Sequence, residues 1–120
     1  MIKYKTQLTS IKKGEKICSL DQLINKKALV IEGDNKYLPG IIIYKNNNII
    51  KAWINNCPHA NLTLDLIKGK IQSKDGNLLC ANHGAKFNPE TGACIKGPCK
   101  EKFLTIFPFI IENNNLIAGS

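Results

Sequence analysis

Both histidines of this 120-residue chain stand just beyond a cysteine, in Cys57-Pro58-His59 and in Cys80-Ala81-Asn82-His83, with twenty residues between His59 and Cys80. Two loops that each supply a thiol and an imidazole constrain the fold, because it must bring them together to use them. The stretch around them, residues 56–100, holds five of the nine glycines, three of the five prolines and four of the five cysteines. Its apolar segments are too short for regular sheet, so it reads as a loop-built region carried on a β scaffold. With no third histidine, centres built on three or more imidazoles are excluded.

The flanks read as short strands. Ala28–Glu32 is a brief apolar run closed by Gly33-Asp34-Asn35. Gly40–Lys45 is β-branched and closed by Asn46-Asn47-Asn48, before Ile49–Asn55, which makes a hairpin. Leu104–Glu112, Asn113-Asn114-Asn115 and Leu116–Ala118 make a second hairpin, in which Pro108 cannot donate to a ladder and marks an edge or a bulge. Ser19 is placed to cap a short helix over Leu20–Ile24. The first fifteen residues are polar, an edge strand or a loose arm. No internal repeat and no helical period long enough for a bundle is visible. At this length one domain is expected, over residues 1–120.

All the positive side-chain charge is lysine, 17 residues against nine acids, for a formal charge of +8. The lysines are scattered without interleaved aromatics, so no nucleic-acid platform is expected. No stretch approaches the ~18 apolar residues of a membrane span, and the start has no signal-peptide pattern, so the expected compartment is cytoplasmic. An odd cysteine count argues against a purely disulfide-stapled fold, and in a reducing compartment clustered Cys and His point to metal first.

A Cys2His2 zinc finger uses a cysteine pair and then a histidine pair. Interleaving suits instead one 2Fe-2S cluster in which Cys57 and Cys80 hold one iron and His59 and His83 the other. Two ferric ions, two sulfides, two thiolates and two neutral imidazoles sum to zero, against minus two for an all-thiolate cluster. The less negative centre accepts an electron more readily, at about −150 to +300 mV.

These residues resemble the Rieske 2Fe-2S family. Cys57-Pro58-His59 with Leu64-Asp65 is similar to the family's first loop, and Cys80-x-x-His83-Gly84-x-x-Phe87-x-x-x-Thr91-Gly92 to its second. Gly97-Pro98 falls where the family places a proline loop over the cluster. The resemblance covers roughly residues 39–118. It implies an all-β fold: an antiparallel sandwich or barrel base formed by the terminal strands, with an inserted cluster-binding subdomain at about 54–100. Leu64, Phe87 and Pro98 are then expected to shield the centre from water.

The departures carry information. Ala60-Asn61-Leu62 and Ala81-Asn82 lack the extra cysteines that form a bracing disulfide in Rieske proteins of respiratory bc complexes. Ala85 and Phe87 replace the Ser and Tyr whose hydroxyls bond cluster sulfurs there, which predicts a potential at the low end of the range. Asn61 stands where glycine is common. Asn61-Leu62-Thr63 fits a glycosylation acceptor, discounted without a secretory signal. Cys18 reads as a small buried hydrophobe and Trp53 as core. Cys94 and Cys99, flanking Gly97-Pro98, either bridge each other, stay reduced as packing residues, or act as a redox switch. Lys68, Lys70, Lys86, Lys96 and Lys100 either form a positive rim for an acidic partner or are simply solvated.

The function expected is single-electron transfer by a soluble Rieske-type ferredoxin, with a reductase upstream and a terminal oxygenase or similar acceptor downstream. Rieske oxygenases need a second domain with a mononuclear iron held by further histidines, which this chain does not have, so it is not expected to be an enzyme itself. The alternatives are the small Rieske-like subunit of an assimilatory nitrite reductase, in which cluster ligands can be absent, and a redox sensor using Cys94 and Cys99.

Overall fold

The computed structural model describes residues 11–24, 28–32, 38–58, 63–65, 71–80, 84–97 and 101–119. Among these described residues, nine short strands make three antiparallel sheets of three strands each. They are β1 (Lys16–Ser19), β2 (Ala28–Ile31), β3 (Ile41–Asn46), β4 (Ile49–Ile54), β5 (Leu78–Cys80), β6 (Ala85–Phe87), β7 (Cys94–Lys96), β8 (Phe109–Glu112) and β9 (Asn115–Ala118). The sheet orders are β1-β9-β8, β2-β3-β4 and β5-β6-β7.

The middle sheet explains the apolar runs of the sequence. In β3 the side chains alternate between two cores: Ile42 joins Trp53, Leu78 and Phe87, whereas Ile41 and Ile43 join Ile17, Ala52, Ile54 and Leu116. The same division holds in β2, where Ala28 and Val30 pack on the first core and Leu29 and Ile31 on the second. A sheet covered on both faces needs continuous hydrophobic strands rather than alternating ones, which is what ALVI and IIIY supply. In the β3–β4 register Ile42 lies opposite Trp53 and Ile43 opposite Ala52. The β2-β3-β4 sheet is therefore a wall between a base core and the core of the cysteine-rich region.

Both Asn-rich turns close hairpins as expected. Asn46 pairs with Ile49 across a two-residue loop, with Asn47 at φ 56°. Glu112 pairs with Asn115, with Asn113 and Asn114 at φ 51° and 66°. Two successive positive φ values make the primed turn whose twist matches an antiparallel pair, and Asn is among the residues that tolerate it best.

Four expectations are corrected. Leu104–Glu112 is not one strand, because the chain changes sheets at Pro108. Before it, the Ile54 and Phe107 amides donate to the Thr105 and Ala52 carbonyls at 2.8 and 2.9 Å, so residues 105–107 seal the free edge of β4. After it, β8 pairs with β9. The proline, with no N–H to give, sits where the chain lets go of one ladder and joins another. The helix over Leu20–Ile24 is a single 3₁₀ turn, Leu20–Leu23. The Gln22 side-chain oxygen accepts from the Ser19 amide at 2.9 Å, and only Leu23 is buried, so nothing extends the helix. The region 56–100 is not purely loop-built, since three-residue strands at 78–80, 85–87 and 94–96 form its sheet. Finally, the first fifteen residues, read as an edge strand or a loose arm, place Ile11 in the base core, while residues 1–10 lie outside the described residues; the strand that follows, Lys16–Ser19, pairs with β9.

Candidate metal centre

Asn55 fixes the first cysteine loop. It follows β4, is 1% exposed, and its amide donates to the Gly40 carbonyl at 3.0 Å. Its side-chain oxygen accepts the Leu64 N–H at 2.8 Å, and its side-chain nitrogen donates to Asp65 Oδ1 at 2.9 Å. One buried amide thus ties the chain before Cys57 to the chain at 64–65, closing the loop that carries His59 in sequence. Closing it this way supplies a partner for a main-chain N–H that is buried there and has no water to bond. Cys57 lies inside this clamp, 1% exposed, and Leu64 is fully buried beside it in the same core.

The second loop hangs on the β5–β6 hairpin. Cys80 ends β5 opposite Ala85, and both are fully buried. The Gly84 amide donates to the Cys80 carbonyl at 2.9 Å, with Gly84 at φ +74°. The connection between Cys80 and Gly84 carries His83. Leu78 and Phe87, cross-strand partners at the far end of the hairpin, are fully buried and bring the thiol ends into the core shared with Cys57.

A third segment folds over the hairpin from the other side. Cys94 in β7 lies opposite Phe87, and the turn before it is wound tightly. Asn88 accepts from the Glu90 and Thr91 amides at 2.8 and 3.2 Å, and the Gly92 amide returns to the Asn88 carbonyl at 2.7 Å. Trp53 anchors this turn to the central sheet, its ring N–H donating to the Pro89 carbonyl at 2.9 Å. Gly92, at φ +77°, lies flat against that ring: a Cβ there would come within 2.7 Å of it. At the other end of β7, Gly97 has φ +103°, and a Cβ would meet the Ala85 Cα at 2.8 Å. The segment therefore rests directly on the residue paired with Cys80.

Of the four residues of the expected ligand set, the structure brings Cys57 and Cys80 into one buried apolar cluster, and neither is in a disulfide. His59 and His83 lie outside the described residues, as do Asn61, Pro98, Cys99, Lys68, Lys70 and Lys100. Two reduced thiols in a dry core suit a soft metal centre, which binds thiolate where water is excluded. Leu64 and Phe87 are fully buried, as a water-excluding shell requires, and Trp53 is core at 4% exposure. Cys18 is buried in the base core, where burial pushes its thiol up despite nearby Lys16. Cys94 is disulfide-bonded, so the reduced-packing reading does not hold for it; its loop ends are clamped, which favours cross-linking over a free thiol.

Charge at this end is partly neutralised. The Lys86 ammonium pairs with Asp75 at 3.0 Å, and Lys96, opposite Lys86 in register, is exposed. The Ser73 hydroxyl, the Lys86 ammonium and the Asn77 amide together hold the Asp75 carboxyl well below the usual carboxylate range. Sequence reasoning missed Asn55 and Asp75, and placed Gly92 in the second-loop motif without its contact to Trp53. The signal for Asn55 was there: a polar residue continuing the apolar strand Ile49–Ile54 two positions before Cys57.

Residues 14–109 match the family model of the Rieske [2Fe-2S] domain. Among solved structures, the chain is similar to a ferredoxin of Sphingomonas yanoikuyae B1, at 20% identity and TM-score 0.67 over 90% of this chain and 99% of that one. It is similar to the ferredoxin of carbazole 1,9a-dioxygenase from Nocardioides aromaticivorans IC177, at 21% identity and TM-score 0.65 over 91% and 100%. A cyanobacterial plasma membrane Rieske protein from Synechocystis PCC 6803 matches at 21% identity and TM-score 0.66 over 88% and 98%. At these identities the likeness shows the fold. No curated protein sequence matches.

Proposed function

The chain belongs to the Rieske [2Fe-2S] domain family, and on that basis we propose that it is a one-electron carrier whose single 2Fe-2S cluster is held by Cys57 and Cys80 on one iron and His59 and His83 on the other. The observation that carries the ligand assignment is the pair of buried thiols, Cys57 and Cys80, placed outside any disulfide in one apolar core. The cluster supplies the chemistry of taking up and giving back one electron. The chain's own residues do the rest. Asn55 closes the first loop, the β5–β6 hairpin presents the second, and Leu64 and Phe87 keep water from the thiol side.

The electron is passed on rather than used here. Both histidines of the sequence are committed to the cluster, so none is left for a mononuclear oxygen-activating iron. The acceptor we propose is a terminal oxygenase, with a reductase as donor; the named association of one structural neighbour with carbazole 1,9a-dioxygenase supports that partner class. No helix among the described residues is long and apolar enough to cross a membrane.

Anaerobic reconstitution with iron and sulfide tests the proposal. The expected product carries two irons and two sulfides per chain and shows a visible spectrum lost on reduction. Its midpoint falls below about +100 mV, in the lower part of the range for such centres. Cys57→Ser and Cys80→Ser lose the chromophore, and His59→Cys or His83→Cys lowers the midpoint by adding negative charge. A colourless, iron-free protein after reconstitution overturns the reading.

A further inference from the structure

We propose that Cys94 and Cys99 form a disulfide that braces the Gly97 turn over the β5–β6 hairpin, and that a dithiol can open it. The sequence has five cysteines; Cys94 is disulfide-bonded, and Cys18, Cys57 and Cys80 are not in disulfides, which leaves Cys99 as the partner. The surrounding geometry suits a short cross-link. The Cys94 amide donates to the Lys102 carbonyl at 2.9 Å, so the chain that leaves Cys94 is bonded back to it at residue 102, and a cross-link from Cys94 to Cys99 closes only a short loop inside that span. The Cys94 Sγ lies 3.3 Å from the Lys96 carbonyl oxygen, on the side of the turn. Cys94 itself is 8% exposed and packed in the core that holds Cys57 and Cys80.

The consequence follows from what the turn touches. Gly97 rests on Ala85, and Ala85 is the cross-strand partner of Cys80. A cross-link at Cys94 would restrain the turn that runs to Gly97 against the hairpin that carries one proposed ligand; opening it would remove that restraint and give water access to the hairpin. In the opening step a thiolate of the dithiol attacks one sulfur, the Cys94–Cys99 bond breaks, and the second thiol of the reagent displaces the protein sulfur from the mixed disulfide. Two electrons and two protons pass to Cys94 and Cys99, and the reagent leaves as its own disulfide. The pairing stands without the cluster, whereas its effect on the cluster rests on the carrier reading.

Two measurements test this. Chain purified without reductant is denatured in acid, alkylated and digested with trypsin, with no cluster required. The expected digest holds the peptides 87–96 and 97–100 joined, separating on reduction, with Cys18, Cys57 and Cys80 alkylated. Alkylation of both Cys94 and Cys99 in the non-reduced sample overturns the pairing. For the brace, reconstituted protein is exposed to an iron chelator before and after dithiol treatment and gel filtration, and beside the Cys94→Ser/Cys99→Ser variant. Several-fold faster bleaching and a raised midpoint are expected in both opened forms, since water stabilises the more negative reduced centre. If the variant does not fold, the treated wild type still decides. Equal bleaching rates and equal midpoints for the closed and opened protein overturn the bracing role while leaving the carrier reading intact.

Discussion

Asn55 is the buried polar side chain on which the first loop depends. None of the described buried side-chain polar atoms lacks a partner, and Asn55 satisfies two groups from the far side of the loop at once. Replacing it with Ala strands the Leu64 N–H away from water. Asn55→Ala is expected to lose about 1–3 kcal/mol in denaturant unfolding, the cost of an orphaned buried donor, and to lose iron to a chelator faster than wild type. Unchanged stability would show that the loop closes by other means. Gly92 poses a steric case. A methyl there meets the Trp53 ring at 2.7 Å from a backbone at φ +77°, so Gly92→Ala combines overpacking with left-handed strain. We expect it to cost about 2–4 kcal/mol, read as a lowered melting temperature. A melting temperature equal to that of wild type would refute the packing argument. Ala85 and Phe87 present no hydroxyl at the hairpin, and Ala85→Ser should raise the midpoint if a sulfur of the cluster accepts its hydrogen bond.

Strand β3 shows how one element serves two compartments. Ile42 and Ile43 are both fully buried, yet they face different cores. Truncating either to Ala should cost about 2–5 kcal/mol, but only Ile42→Ala, which loosens the core of Cys57 and Cys80, should speed cluster loss under matched conditions. Equal effects on cluster lifetime would mean that the wall does not separate the two cores. The turn between Ser73 and Asn77 is an element held by charge. Asp75 there bonds the Ser73 hydroxyl, the Asn77 amide and the Lys86 ammonium. Its folded pKa lies below the unfolded value near 3.9, so its contribution is complete above about pH 4 and vanishes as pH falls through the folded value. The difference in melting temperature between wild type and Asp75→Asn should therefore be largest at neutral pH and close on acidification. Because the group is exposed, that difference is expected to be small.

At the scale of the molecule, residues 102–107 join the two halves. The Cys94 amide bonds the Lys102 carbonyl and the Leu104 amide the Gly92 carbonyl, while Ile54 and Phe107 bond across to the central sheet. One segment is thus hydrogen-bonded both to the cysteine-rich region and to the central sheet. The net charge of +8 gives the whole chain an attractive field for an acidic partner. Electron transfer to such a partner should slow steeply as salt rises past the point where the screening length falls to about 10 Å; a flat response would remove electrostatic docking. What the sequence by itself determined is chemistry carried by residue type and close spacing. Two Cys/His loops mark the family, two Asn-rich turns specify hairpins, and β-branched runs specify strands, because each depends on neighbours a few residues away. Only the tertiary structure decided which runs are walled on both faces, where Leu104–Glu112 breaks between sheets, and that Asn55 reaches Leu64 and Asp65. Those outcomes depend on which distant backbone groups meet, and a buried amide or an open strand edge has no partner until the fold delivers one.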